Sequence, residues 1–358
     1  MRMVNLTKML DPAGLFRRVT GMEPEDPYNK RLASGFTLGL GQELKLLQGA
    51  IRWAHAGMVQ RLATHWDRAC PDLVVSLIPN FNRALHDGLA LACPGVPFVT
   101  VLTDMADHPP HFWIEPDLAQ HVVCGTSYAR SQALATGCDP SRVHLVSGMI
   151  LRPDFYAQQP MSPADERRQT GMDPDAPTGL VLFGGTGSRA MIRIAERLPD
   201  TQLILMCGRN WSLAERLRAL PSRAPRAVIG YTPDVTRWMG MADFFIGKPG
   251  PGSLSEAVQA GLPVIVTLNA WTMPQERWNA DWVRQNGLGV VDRSFRTVRQ
   301  AVDQLVRHLS EYRSRVALID NRAVFEVPEI LNGILMQSRA PCCSTRPLKT
   351  PVLAQSSA

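Results

Sequence analysis

Ten short apolar runs, rich in Val, Ile, Leu and Phe and set between stretches of helical character, constrain this chain more than any other feature. In the first half they occupy residues 73–78 (LVVSLI), 96–102 (VPFVTVL), 121–124 (HVVC) and 143–146 (VHLV). In the second half they occupy 180–183 (LVLF), 202–207 (QLILMC), 227–229, 243–246 (DFFI), 263–267 (PVIVT) and 288–291. A strand with one wet face alternates apolar and polar residues. These runs are continuous, so both faces must be covered, which is the condition of parallel strands sandwiched between helices. The expected class is α/β, doubly wound, and 358 residues suffice for two such units at roughly 150 residues each.

The polar, proline-rich stretch at 153–177 lacks an apolar period and reads as a linker or hinge. The division expected is therefore 1–155, a linker at 156–177, a second unit at 178–335 and a disordered tail at 336–358. Residues 1–10 read as one amphipathic strand or helix, 41–66 as a core helix with Leu44, Leu47, Ile51, Trp53 and Met58, and 295–309 as a helix.

Composition excludes several classes. Lys and Arg (38) exceed Asp and Glu (32) by six, but Arg339, Arg346 and Lys349 sit in the acid-free tail, so the body is nearly balanced. No basic run interleaved with aromatics exists, which argues against nucleic acid as a partner. Seven cysteines are odd in number and never spaced CxxC, pointing to a reducing compartment and no zinc site. Neither a signal-peptide core nor a run of ~20 apolar residues is present. The expected location is the cytoplasm, or the cytosolic face of a membrane as a peripheral protein.

Three segments follow strands of the second half, at the carboxyl edge where open α/β sheets hold ligands. The first is Gly184-Gly185-Thr186-Gly187-Ser188, which formally satisfies GxGxxA; however, Gly208-Arg209-Asn210 follows the next strand where a dinucleotide site needs a ribose-binding acid. The second, Lys248-Pro249-Gly250-Pro251-Gly252-Ser253, opens a helix whose free N–H groups suit a diphosphate. Glu256, three residues after Ser253, fits either a capping box or a carboxylate accepting the ribose hydroxyls. In the third, Gln275 and Asn279 lie four apart after Pro274 and share a helical face; the alternative is a solvated helix start. The first half offers one dense titratable cluster, Asp104, Asp107, His108 and His111. It can be read as cleft polar residues, as plain loop, or as a metal site that Pro109 and Pro110 disfavour.

These segments, with GYTPDVTRWMGMADFFIGKPG and QERWN, resemble the donor domain of the GT-B glycosyltransferases of family 28, closest to the monogalactosyldiacylglycerol and diglucosyldiacylglycerol synthases. Thr103-Asp104, His108-Pro109, Glu115-Pro116 and GMILRP at 148–153 are similar to the acceptor-side pattern. The resemblance implies two Rossmann-like domains facing a cleft, with residues 1–155 on the acceptor side and 178–335 holding the UDP-sugar. It implies diphosphate contacts from Gly185, Thr186, Gly250, Gly252 and Ser253, a uracil pocket bordered by Arg209 and Tyr231, ribose on Glu256, and sugar contacts from Gln275, Glu276 and Asn279. The implied activity is an inverting, metal-independent hexosyl transfer to a lipid such as diacylglycerol at a membrane surface, with no cofactor. The expected base is His108, oriented by Asp104. The family opens with a strand and a GGGH-type loop carrying its usual base; this chain begins with VNLTKML, resembling the next strand. The first domain is therefore expected to be incomplete, with a start upstream of Met1 or without that base. Leu6, Met9, Leu10, Leu15, Phe16, Phe36, Leu38 and Leu40 pack on the sheet or dip into a membrane. Two alternatives remain: a UDP-sugar-binding protein that needs a partner, and a nicotinamide-dependent dehydrogenase.

Overall fold

A computed structural model describes residues 2–10, 40–157 and 161–338. All ten apolar runs become strands. The first sheet contains β1 (Val74–Ser76), β2 (Phe98–Val101), β3 (His121–Cys124) and β4 (Val143–Leu145) in that spatial order, every pair parallel. The second contains β5 (Thr178–Leu182), β6 (Gln202–Gly208), β7 (Arg226–Gly230), β8 (Phe244–Gly247), β9 (Val264–Thr267) and β10 (Gly289–Asp292). Its order is β10-β9-β8-β5-β6-β7, also all parallel. Chain order reverses between β5 and β8, so the loops leaving those two strands diverge and open a crevice at their carboxyl ends.

Continuous hydrophobicity finds its explanation in the two faces of the second sheet. Leu180 and Leu182 join Ile204, Met206, Val264 and Val266 on one side, while Val181 joins Leu203, Leu205 and Ile265 on the other. Each face is roofed by helices: Pro251–Gln259 and Arg277–Gln285 on the first, Ala190–Arg197 and Val298–Arg307 on the second.

The chain does not stay in sequence order. After the second sheet is complete, helix Ala323–Gln337 returns to the first and packs Ala323, Val327 and Ile334 against Val99, Val101, Val123 and Val146. Asn321 fastens the return: its amide donates to the Met149 carbonyl at 2.8 Å. Only glycine fits at 148, because a Cβ there would lie 2.5 Å from Asn321 Cγ.

Other segments differ from their sequence reading. The 153–177 stretch contains a helix, Pro163–Gln169, capped by the Ser162 hydroxyl. It is pinned to the second sheet by charge instead of by an apolar face. Arg167, 6% exposed, meets Asp243 at 2.7 Å, and Glu166 meets Arg237. A helix buried through ion pairs leaves no hydrophobic period to read. Trp53, expected in the core, is 91% exposed on helix Leu40–Ala69. Residues 6–10 form a helix that buries Leu6 against Leu62 and Trp66, with Met9 and Leu10 packed nearby. Leu15, Phe16, Phe36 and Leu38, and the tail from 339 onward, lie outside the described residues.

Candidate functional site

Two loops interlock at the end of β5 and β6. Gly184 and Gly187 take φ of 73° and 61°, and Gly208 takes 57°. Gly208 is obligatory, since a Cβ on it would come within 2.1 Å of the Gly185 carbonyl. That carbonyl accepts from Arg209 N at 3.0 Å, and Asn210 Nδ2 donates to the Thr186 carbonyl at 3.1 Å. Gly185 and Thr186 are thereby held exposed at the mouth of the crevice. Beside them the Arg209 guanidinium stacks 4.7 Å from the Tyr231 ring centre, and Tyr231 is exposed. The pair makes a flat, cationic shelf.

Across the switch point, helix Pro251–Gln259 starts immediately after the β8 loop. Gly250 is its N-cap with extended angles and no side-chain cap bond, and Pro251 has no N–H to satisfy. The capping-box reading of Ser253 and Glu256 is therefore not realised: Ser253 lies inside the first turn. Gly252 is exposed and a Cβ placed on it meets nothing within 4 Å, so the surface over the first turn is open, and the N–H groups of Gly252 and Ser253, at the helix start, have no intrahelical acceptor. One turn further on, the Glu256 carboxylate makes no hydrogen bond to another described side chain. Burial pushes its pKa up, opposed by the charge of Arg152.

The third segment is arranged differently from its sequence reading. Pro274–Glu276 is one 3-10 turn and the helix proper runs Arg277–Gln285. Gln275 is half-buried, its amide near the Met273 sulfur. Asn279 has no exposed surface and donates to the Pro249 carbonyl at 2.8 Å, so it reaches the crevice only through the loop it ties down. Its Oδ1 is buried without a partner. Glu276 is likewise buried and is held at 2.6 Å by Lys248 Nζ; burial raises its pKa while the ammonium opposes the rise. Lys248 is the residue the sequence reading did not single out. Its signal was its place one residue before Pro249, at the end of a strand.

The first unit brings Asp104 to the same place. Its carboxylate accepts from Trp113 Nε1 at 2.9 Å and senses both Glu276 and Lys248 across the crevice. Burial is the main cause of a pKa pushed up to about 6; the Trp113 bond works against it. His108 does not pair with Asp104: its Nε2 lies 3.2 Å from the Tyr128 hydroxyl, and Tyr128 stacks on Trp278 of the other unit with ring centres 4.7 Å apart and 6° between planes. Asp107 is a buried brace for its own loop, accepting from Trp113 N and His111 N. Among the described residues no His, Cys, Asp or Glu group is arranged to hold a metal ion.

No protein-family model matches the chain. It is 29% identical over 320 residues to a probable monogalactosyldiacylglycerol synthase 2 of Oryza sativa subsp. japonica, covering 80% of this chain and 65% of that one. To monogalactosyldiacylglycerol synthase 2 of Arabidopsis thaliana it is 31% identical over 264 residues, covering 69% and 55%. The chain thus spans 65% or less of the length of these two relatives. Among solved structures it is similar to the calicheamicin glycosyltransferase CalG4, with TM-score 0.57, 18% identity and coverage of 84% and 85%. It is also similar to MurG of Acinetobacter baumannii, with TM-score 0.56, 13% identity and coverage of 77% and 78%. HepE of Anabaena in complex with UDP follows, with TM-score 0.53, 14% identity and coverage of 77% and 82%.

Proposed function

We propose that this chain, similar in sequence to plant monogalactosyldiacylglycerol synthases and in fold to GT-B glycosyltransferases, transfers a hexose from a UDP-sugar to the hydroxyl of a lipid, most simply diacylglycerol. The observation that carries this reading is the convergence, at one switch point, of an open helix start at Gly250–Ser253 with the carboxylate of Glu256, which bonds to no described side chain and senses the charges of Arg152 and Asp154. A nucleoside diphosphate has this same pairing: anionic phosphates and, a few ångströms away, neutral vicinal hydroxyls that donate to a carboxylate.

In this reading the phosphates lie on the N–H groups of Gly252 and Ser253 and against Gly185 and Thr186, the ribose on Glu256, and the uracil on the Arg209–Tyr231 shelf. UDP is the ligand of the HepE complex. The hexose then points toward Gln275 and Glu276, with Asn279 acting through the Pro249 carbonyl it holds. The departing diphosphate is neutralised by backbone donors and the helix start, so the transfer needs no metal. An acceptor hydroxyl on the far side of the sugar inverts the anomeric centre, and its proton goes to Asp104. A carboxylate with a pKa of about 6 is well matched to a general base near neutral pH, and Asp104 faces the donor side, whereas His108 is engaged by Tyr128.

Residues 1–155, with helix Ala323–Gln337 returning to the first sheet, form the acceptor side, joined through 156–177 to a donor side that ends before that helix and not at 335. No described helix is long and apolar enough to cross a membrane. Trp53, left in water on a long helix, is the kind of side chain that settles at a lipid–water boundary, which supports peripheral binding at a membrane surface; the cytosolic face is our proposal from the scattered cysteines, odd in number and never spaced CxxC.

The test is radiolabelled UDP-galactose and UDP-glucose supplied separately with diacylglycerol vesicles in EDTA, alongside calorimetric titration with UDP. Labelled glycolipid from one donor is expected. UDP binding with no transfer from either donor would leave a binding protein that needs a partner, and absence of UDP binding would remove the donor reading altogether.

A further inference from the structure

A cavity of about 350 Å³ lies between the two sheets, on the flank of helix Pro251–Gln259 adjacent to the Gly252 and Glu256 face. None of Gly185, Thr186, Arg209, Tyr231, Gly252, Glu256 or Gln275 lines it. Its walls come from the carboxyl ends of β3 and β4 on one side and from helices Pro251–Gln259 and Arg277–Gln285 on the other. The volume is within the range of small-molecule sites.

The composition of the wall decides what it can hold. No Asp, Glu, Lys, Arg or His lines the cavity. An ionised ligand drawn out of water there would find no counter-charge, and its desolvation would go uncompensated. The wall instead combines two indoles, Trp278 and Trp282, four apart on one helix, with neutral hydrogen-bonding groups on Ser127, Ser255, Gln259 and Gln285. These four side chains make no hydrogen bond to any other described residue. Ser255 is 7% exposed and lines the void, where its hydroxyl bonds to no described side chain; Gln259 is half-buried beside it, and Ser127 and Gln285 reach the exposed rim. Neutral donors and acceptors gathered on one wall with no charge among them suit an occupant with hydroxyls of its own. Two indoles call for that occupant to have an apolar face as well.

We infer that this cavity is a second carbohydrate site, taking an uncharged hexopyranose whose C–H face lies on Trp278 or Trp282 and whose hydroxyls bond to Ser255, Gln259 and Gln285. The ligand is either a free sugar or the headgroup of a neutral glycolipid. The inference stands apart from the donor reading, because the two sites share no residue.

The experiment uses the full chain saturated with UDP. Methyl β-galactoside and methyl β-glucoside are titrated by tryptophan fluorescence and by saturation-transfer NMR, with glucuronate and glucose 6-phosphate as charged competitors. Saturable binding of at least one methyl glycoside is expected, without competition from the charged sugars. Gln259→Ala and Gln285→Ala should each weaken it about fivefold, the effect of one lost hydrogen bond, and Ser255→Val, which removes the hydroxyl, should weaken it by a similar factor. UDP affinity should be unchanged in all three. Vesicles with and without a neutral glycolipid then separate the sources: binding that appears only on glycolipid vesicles identifies a headgroup, and binding of the soluble glycoside alone identifies a free sugar. No saturable response to either methyl glycoside or glycolipid vesicles, equal binding of charged sugars, or wild-type affinity in both glutamine variants would overturn the inference. Loss of UDP binding in the wild-type protein would instead count against the donor reading only.

Discussion

Gly252→Ala should make this protein more stable and worse at binding UDP. The stability half follows from the backbone. Gly252 is the second residue of helix Pro251–Gln259, its φ is not in the left-handed region, and a Cβ there meets nothing within 4 Å. Alanine therefore incurs no clash and removes part of the chain entropy glycine loses on folding, a gain of about 0.5–1 kcal/mol. In a domain of this size that raises Tm by about 1–4 °C. The binding half follows from the same empty space. If the phosphates sit on the first-turn N–H groups, a methyl group occupies their position. Losing one charge-assisted hydrogen bond costs about 1.5–3 kcal/mol, or about a 10- to 150-fold rise in Kd. Differential scanning calorimetry and isothermal titration with UDP read the two halves on one preparation. The neighbouring position is the control: a Cβ on Gly250 would lie 3.3 Å from Glu276 Oε1 and 3.2 Å from Lys248 Cε, so Gly250→Ala should lose stability as well as affinity. A Gly252→Ala protein that binds UDP as tightly as the parent would refute the placement of the phosphates, whatever its Tm.

Three further outcomes are expected. Transfer should rise about tenfold per pH unit up to about pH 6 and then level off, since Asp104 must be ionised to take a proton and its pKa is about 6; Asp104→Asn should cost about 10²–10⁴ in kcat and abolish that limb. The sign for stability is opposite. A carboxyl whose pKa is raised by folding favours the folded state where it is protonated, so stability should fall as pH rises from about 4 to about 6, and chemical denaturation of Asp104→Asn should show a shallower fall. Tyr128→Ala removes the stack on Trp278 and should lower kcat/KM about 2- to 12-fold, the worth of an aromatic pair, while Tyr128→Phe keeps the stack and should stay within about twofold; a collapse of activity in the phenylalanine variant would restore His108 as the base. Arg167→Met removes the buried partner of Asp243, which keeps Arg313 on its other oxygen, and strands the Met241 carbonyl; it should cost about 1–3 kcal/mol in urea denaturation, and a loss under about 0.5 kcal/mol would show that the ion pair is dispensable.

What could be read in the residues was whatever is local along the chain. Continuous apolar runs such as QLILMC and PVIVT demand cover on both faces, and Leu180, Val181 and Leu182 do pack alternately into two cores. Glycine-bearing loops at strand ends were legible for the same reason: a loop that opens a helix leaves N–H groups free wherever it folds. Gly185, Thr186 and Gly252 are exposed where that reasoning puts them.

Tertiary structure decided everything that depends on which side chains meet. Asn279 shares a sequence pattern with solvent-facing polar residues, yet it is buried because the chain before Gly250 needs a donor for the Pro249 carbonyl. The 163–169 helix gave no hydrophobic signal because Arg167 finds Asp243 76 positions away. The partner of His108 is Tyr128, and that ring is set by Trp278 on the opposite unit. Strand and loop identity is written in the order of neighbours along the chain, whereas the protonation and reach of Asp104, Glu256 and Glu276 depend on burial and on charges brought close from distant positions, which no local pattern encodes.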